Sequence, residues 1–213
     1  EIDCAVHSLK DMPGVLDARF ALAAVLPREE IQDVLVMKAD ADEQNLVIAT
    51  GSVRRSHMVQ TYWEGRARTV PVRGNVATRL RKMVENPEVS ATLLARAGLN
   101  RLGYPQEAFE VNGTPVRVVG LPVDAFPPAL GQGAIALECR KDDAAANAMV
   151  SRVNHEPTYR CISCERAFLN LLQADCSVPV GGYAVNNEDG SLTLNVVHYS
   201  DATHFTRLSE TGS

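Results

Sequence analysis

The run Leu46-Val47-Ile48-Ala49-Thr50-Gly51-Ser52-Val53-Arg54-Arg55 carries the fold. Four apolar residues, two of them β-branched, read as a buried strand, and Thr50-Gly51 turns the chain. Ser52 is a suitable N-cap for a helix from Val53 to about Trp63. That places Arg54 and Arg55 in the first helical turn, where the helix dipole is already positive. A sequence shaped by stability alone favours Asp or Glu there, so two adjacent arginines beside unsatisfied N–H groups point to an anion site.

The pattern recurs downstream. Arg68 to Val72 reads as a short strand in which Pro71 marks an edge or an end position, followed by Arg73-Gly74-Asn75 and a helix from about Val76 to Glu85 that carries Arg79. Ser90 to Ala95 leads into Arg96-Ala97-Gly98-Leu99-Asn100-Arg101. Strand, turn and arginine repeat three times. This alternation predicts an α/β fold with a mostly parallel sheet and arginines gathered at one edge, where such sheets bind ligands. Guanidinium forks suit carboxylates, so the expected ligand is a polyanion or polycarboxylate.

The rest of the composition is consistent with this reading. The chain has 213 residues, 46% hydrophobic and 22% charged, with a net charge of −5. A negative balance argues against general nucleic-acid binding. No apolar run approaches the roughly 18 residues of a membrane span. Seventeen of the 21 basic residues are Arg. The five cysteines are irregularly spaced, which is no disulfide framework and predicts a reducing, cytoplasmic setting.

Two further stretches carry chemistry. Near the N-terminus a strand over Ile2–Val6 runs into His7-Ser8-Leu9-Lys10-Asp11-Met12-Pro13-Gly14, and Pro13-Gly14 ends the element. Ser8, Lys10 and Asp11 thus crowd a strand end. Near the C-terminus, helices over Ala144–Val153 and Thr158–Gln173 are followed by strands at Val178–Val185, Leu192–Tyr199 and Thr203–Leu208. Cys176 falls in the tight helix-to-strand connection, where a thiol can be a nucleophile, a ligand or an attachment point. Between these stretches, Gly131-Gln132-Gly133 allows close backbone approach ahead of another strand. Cys161 and Cys164 form a Cys-x-x-Cys within a helical pattern. Without a second pair it predicts no metal site.

The residues Ala5-Val6-His7-Ser8-Leu9-Lys10-Asp11-Met12-Pro13, Arg73-Gly74-Asn75-Val76, Thr78-Arg79-Leu80, Gly131-Gln132-Gly133-Ala134, Glu165-Arg166-Ala167-Phe168-Leu169 and Cys176-Ser177-Val178-Pro179 stand in the same order as motifs of one family. On them the chain resembles the porphobilinogen deaminase (hydroxymethylbilane synthase) family. Two departures are visible: Ala49-Thr50-Gly51-Ser52 where that family has Gly-Thr-Ser-Ser, and Ala174-Asp175 where it has Gly-Gly.

The resemblance implies two periplasmic-binding-protein-like α/β domains with the active site in their cleft, plus a small α+β domain carrying the cysteine loop. The expected boundaries are 1–27 with 120–142 for the first domain, 28–119 for the second and 143–213 for the third. It also implies a chain truncated at both ends. The implied activity is the head-to-tail joining of four porphobilinogen molecules, with loss of ammonia, on a dipyrromethane cofactor held by thioether to Cys176. Asp11 is implied as the catalytic carboxylate. Ser8, Lys10, Thr50, Ser52, Arg54, Arg55 and Arg79 are implied to hold the cofactor, and Arg73, Arg79 and Arg101 the substrate. The implied partner is porphobilinogen alone, bound by a monomer, with no nucleic acid, membrane or metal. A carboxylate receptor of the same fold without chemistry is the competing reading, and the pairing of Asp11 with Cys176 argues against it.

Overall fold

The computed structural model describes residues 2–172, 178–201 and 203–212. In chain order the strands are β1 (Cys4–Ser8), β2 (Phe20–Val25), β3 (Asp33–Lys38), β4 (Leu46–Ala49), β5 (Ala67–Val70) and β6 (Ala91–Ala95). They continue with β7 (Ala108–Val111), β8 (Thr114–Gly120), β9 (Ile135–Arg140), β10 (Val180–Asn186), β11 (Leu192–Tyr199) and β12 (Phe205–Gly212). The helices are α1 (Val53–Tyr62), α2 (Val76–Glu85), α3 (Arg96–Arg101), α4 (Ala144–Val150) and α5 (Glu156–Leu171), with 3₁₀ turns at Leu9–Asp11 and Ser151–Val153. Two units divide the chain. Unit 1 holds Glu1–Glu29, Ala129–Val197 and Arg207–Ser213; unit 2 holds Glu30–Pro128 and His198–Thr206.

Unit 2 is built on a six-stranded sheet of order β5-β4-β6-β3-β8-β7. Strands β3, β4 and β6 are buried along nearly their whole length, which is why they read as continuous apolar runs and not as alternating ones. Their side chains join Leu80 and Met83 of α2 and Leu99 of α3 in one core. Full burial of a side chain such as Leu80 stabilises by about 1.5–3 kcal/mol. The caps are local. Ser52 accepts from Arg55 N and Asn75 from Thr78 N, so each helix start follows from its own sequence. Strand β5 stops at Val70, one residue before Pro71, which has no N–H for the ladder.

The sheet is mixed, and this corrects the expectation of a mostly parallel one. Strand β4 is parallel to β5 and β6, but β3 is antiparallel to both β6 and β8, and β8 to β7. Strand β4 runs opposite to β3, with β6 between the two in the sheet. The second reversal is a two-residue hairpin. Asn112 and Gly113 both take positive φ, 50° and 79°, and turn β7 into β8. Asn-Gly is the strongest short hairpin signal a sequence offers, and the βα reading passed over it.

Unit 1 contains the three-stranded sheet β1-β9-β2 and all of the sheet β10-β11-β12 except His198 and Tyr199 of β11 and Phe205 and Thr206 of β12. Both β1 and β2 pair antiparallel with β9. The helix α5 packs on β10, and Ile162 from its buried face joins Leu9, Met12, Val25, Ala134 and Ala136 in a core. His155 caps α5 by accepting from Thr158 N, and Pro157 occupies the first turn. The turn between β10 and β11 is closed by Asn187 N donating to Ser191 O at 2.8 Å.

Candidate functional site

Within unit 1, Ser8 ends β1 and the chain tightens at once into the 3₁₀ turn Leu9–Asp11. Leu9 N donates to Ala134 O at 3.1 Å and Met12 N to Leu9 O at 3.0 Å, so the turn is anchored at both ends. Leu9 and Met12 are buried, which leaves Asp11 exposed and Lys10 and Ser8 partly so. Lys10 Nζ reaches Gln132 Oε1 at 3.4 Å, and Gln132 is fully buried. Beside it, Gly131 has φ +77°, and a Cβ there would meet Leu9 Cδ2 at 2.6 Å. Only glycine lets this backbone lie so close under the turn. His7 is held separately, its Nε2 2.8 Å from Glu138 Oε2.

A buried carboxylate fixes the glycine loop from below. Glu165 Oε2 accepts from Gly131 N at 2.6 Å and Oε1 from Ala184 N at 2.8 Å. The two oxygens also take Arg28 Nη2 at 3.2 Å and Nη1 at 2.5 Å, while Arg28 Nε donates to Gln132 O at 2.9 Å. The sequence shows Glu165 only as part of a motif. Its role as the hub joining α5, β10 and the glycine loop requires residues 34 and 137 positions away.

In unit 2, the parallel strands β4, β5 and β6 present their C-terminal ends on one edge. Thr50 follows β4 directly, and its Oγ1 accepts from Ser52 N at 3.2 Å. Ser52 Oγ accepts from Arg55 N at 3.4 Å. Each hydroxyl still carries a hydrogen of its own to donate. Arg73 lies exposed beyond β5. Arg79, half-buried on α2, donates from Nε to Gly74 O at 2.8 Å, and Arg101 is exposed on the last turn of α3. Neither α1 nor α2 has an acidic residue in its first turn, so both positive dipole ends are left to an anion. A groove of ≈ 550 Å³ beneath α2 is lined in part by Val47, Val70, Val72 and Lys82; of the predicted site residues, only Arg73 borders it.

Arg54 and Arg55 are placed differently from their predicted neighbours. Both are buried, at 6% and 4% exposure, and both turn inward to Asp33. Arg55 Nη2 and Nε donate to Asp33 Oδ1 at 2.7 Å and Oδ2 at 3.1 Å, and Nη1 donates to Leu93 O at 3.0 Å. Arg54 Nη2 donates to Asp33 Oδ2 at 2.8 Å and Nη1 to Pro127 O at 2.5 Å. The anion these cations meet is therefore in the chain, 21 and 22 residues upstream, and sequence reasoning missed it. Among the described residues one carboxylate serves two buried guanidiniums, leaving a local excess of positive charge. Burial holds Arg54 below the usual guanidinium range, opposed by the charge of Asp33.

The cofactor assignment to Cys176 falls outside the described residues. Cys161 and Cys164 lie on α5, where burial raises both thiols and Asn186 Nδ2 donates to Cys161 Sγ at 3.1 Å. Among the described residues, no group of three or more His, Cys, Asp or Glu side chains is arranged to hold a metal, and no helix is long and apolar enough to cross a membrane.

The fold and these residues define an α/β protein with a sheet edge rich in hydroxyls and guanidiniums. Comparison with known proteins places it further. Residues 1–148 match the family model "Porphobilinogen deaminase, dipyromethane cofactor binding domain" and residues 159–207 "Porphobilinogen deaminase, C-terminal domain". The chain belongs to the porphobilinogen deaminase family.

It is 44% identical to the porphobilinogen deaminase of Geobacillus kaustophilus over 92% of this chain and 61% of that one. It is 42% identical to that of Shouchella clausii over 91% and 60%, and 39% identical to the chloroplastic protein of Pisum sativum over 100% and 56%. The chain thus spans about three-fifths of the length of the curated relatives it matches. Among solved structures it is similar to an ABC transporter protein of Parabacteroides distasonis, at 14% identity and a TM-score of 0.40 over 83% of this chain and 64% of that one.

Proposed function

We propose that this chain carries the chemistry of a porphobilinogen deaminase: four porphobilinogen molecules joined head to tail, with loss of ammonia, on a dipyrromethane group bound by thioether to Cys176. The observation that carries the reading is the donor set on the unit 2 edge. Hydroxyls of Thr50 and Ser52 and guanidiniums of Arg73, Arg79 and Arg101 suit a ligand bearing several carboxylates, and the α2 N-terminus adds to the same field. That donor chemistry fits the dipyrromethane group, whose rings carry acetate and propionate. When bound, the group would supply a pyrrole carbon as the nucleophile that is extended.

The chain's own residues divide the remaining work. Ser8, Lys10, Thr50, Ser52 and Arg79 would hold the cofactor's carboxylates, and Arg73, Arg79 and Arg101 those of incoming substrate. Arg54 and Arg55 would contribute through the excess positive charge around Asp33. Asp11, exposed on an anchored turn, would offer negative charge to the cation left when ammonia departs and accept a proton afterwards. The division into 1–27 with 120–142, 28–119 and 143–213 belongs to the same proposal and is supported by the three separate sheets.

The test is the intact mass of the full-length protein, unfolded before measurement. An added mass of two pyrrole units, mapped to Cys176 and lost in Cys176→Ala, is the expected result. An adduct on another cysteine, or none after supply of porphobilinogen, overturns the assignment.

A further inference from the structure

Cys4 on β1 and Cys139 on β9 stand opposite each other in register. The ladder determines what kind of pair they form. Leu9 N donates to Ala134 O, one step beyond the Ser8↔Ile135 pair, so Leu9 and Ala134 occupy a hydrogen-bonded position. Hydrogen-bonded and non-hydrogen-bonded pairs alternate along an antiparallel ladder. Stepping back through the register, His7 and Ala5 fall in hydrogen-bonded pairs and Ser8, Val6 and Cys4 in the others. The opposite edge of β9 agrees. Leu26 N donates to Ile135 O and Lys141 N to Arg19 O, which turns the odd-numbered residues of β9 toward β2.

Cys4↔Cys139 is therefore a non-hydrogen-bonded pair, whose Cα atoms stand about 4.5 Å apart with side chains leaning together. Disulfides form across Cα separations of about 4.4–6.8 Å. The Cys139 thiol is buried, while Cys4 is partly exposed and donates from Sγ to Ala5 O at 3.7 Å. Burial first, and then Cys4, push Cys139 up to about 11, so Cys4 is the thiol that meets a reagent from solvent.

We propose that Cys4 and Cys139 are a redox pair that closes reversibly to a cross-strand disulfide by exchange with a small-molecule disulfide such as oxidised glutathione. The Cys4 thiol loses its proton to solvent, and its sulfur attacks one sulfur of the small disulfide. That S–S bond breaks, the first small thiolate leaves and takes up a proton, and a mixed disulfide remains on Cys4. Cys139 then releases its proton, and its sulfur attacks Cys4 Sγ, displacing the second small thiol. Two electrons pass from the protein thiols to the small disulfide, one S–S bond forms as one is lost, and two small thiols are released. The new bond ties β1, an edge strand of its sheet, to the centre of that sheet and pins the register of the strand that ends in Ser8.

The chain is equilibrated with glutathione buffers from fully reduced to fully oxidised, quenched with an alkylating reagent and digested without reduction. The expected product is a Cys4–Cys139 linked peptide lighter by two hydrogens than its two parts, with both thiols lost together from alkylation and both restored by dithiothreitol. Cys139→Ala should stop at a stable glutathione adduct on Cys4, and Cys4→Ala should leave Cys139 unmodified. Both thiols still alkylated in the most oxidising buffer, a Cys4 adduct that never resolves in the wild-type chain, or a bridge to Cys161, Cys164 or Cys176 would each overturn the proposal. The wild-type measurement decides even if a variant folds poorly.

Discussion

Glu165→Gln removes one charge from the centre of unit 1 and changes almost no volume. The carboxylate it replaces is 1% exposed and faces an Arg28 side chain that is 12% exposed. Its two oxygens take four hydrogen bonds, one backbone N–H and one guanidinium nitrogen each. An amide offers one oxygen and one NH₂ group. Whichever way it turns, its NH₂ meets two donors. One of Gly131 N and Ala184 N is stranded, and the Arg28 charge is left buried without its partner.

Breaking a buried pair from one side costs about 3–5 kcal/mol, and a stranded buried N–H about 1–3 kcal/mol, terms that overlap here because the groups share one site. We expect a loss of about 3–5 kcal/mol, a large part of the roughly 5–15 kcal/mol that holds a domain folded. Urea unfolding followed by circular dichroism reads it as an earlier midpoint. Arg28→Met should cost a comparable amount, and the double variant should fall short of the sum by about 1–3 kcal/mol. A Glu165→Gln chain within about 0.5 kcal/mol of wild type, or a strictly additive double variant, would refute the hub.

Asp33→Asn should destabilise unit 2 by about 3–5 kcal/mol in the same assay, since it strands two buried guanidiniums, and a near-neutral result would show that Asp33 is not what compensates Arg54 and Arg55. Gly131→Ala should lower thermal stability by about 1–3 kcal/mol, because its φ is +77° and its Cβ would strike Leu9 Cδ2; an unchanged melting temperature would mean that the turn below Lys10 has slack.

The sequence by itself determined what is local. Apolar runs marked β4 and β6, Ser52 announced the start of α1, and Pro71 marked an edge or end of β5. These signals lie within a turn or a strand length, where propensity, capping and the missing proline N–H act directly. The order of the family motifs was legible for the same reason, since each is a short contiguous run. Strand direction was half legible: Asn112-Gly113 stood in the sequence, but the direction of β3 became plain only once it paired with β6 and β8.

What only the tertiary structure decided is which charges meet. Two arginines at a helix start imply an anion, but the sequence does not say whether that anion is a ligand or Asp33. Glu165 in a helical run carries no sign of Arg28, Gly131 and Ala184, and Cys4 carries none of Cys139. Each pairing spans from 19 to 137 residues. A buried charge is tolerated only where a partner reaches it, and that reach is set by packing and strand register, which no short window of sequence contains.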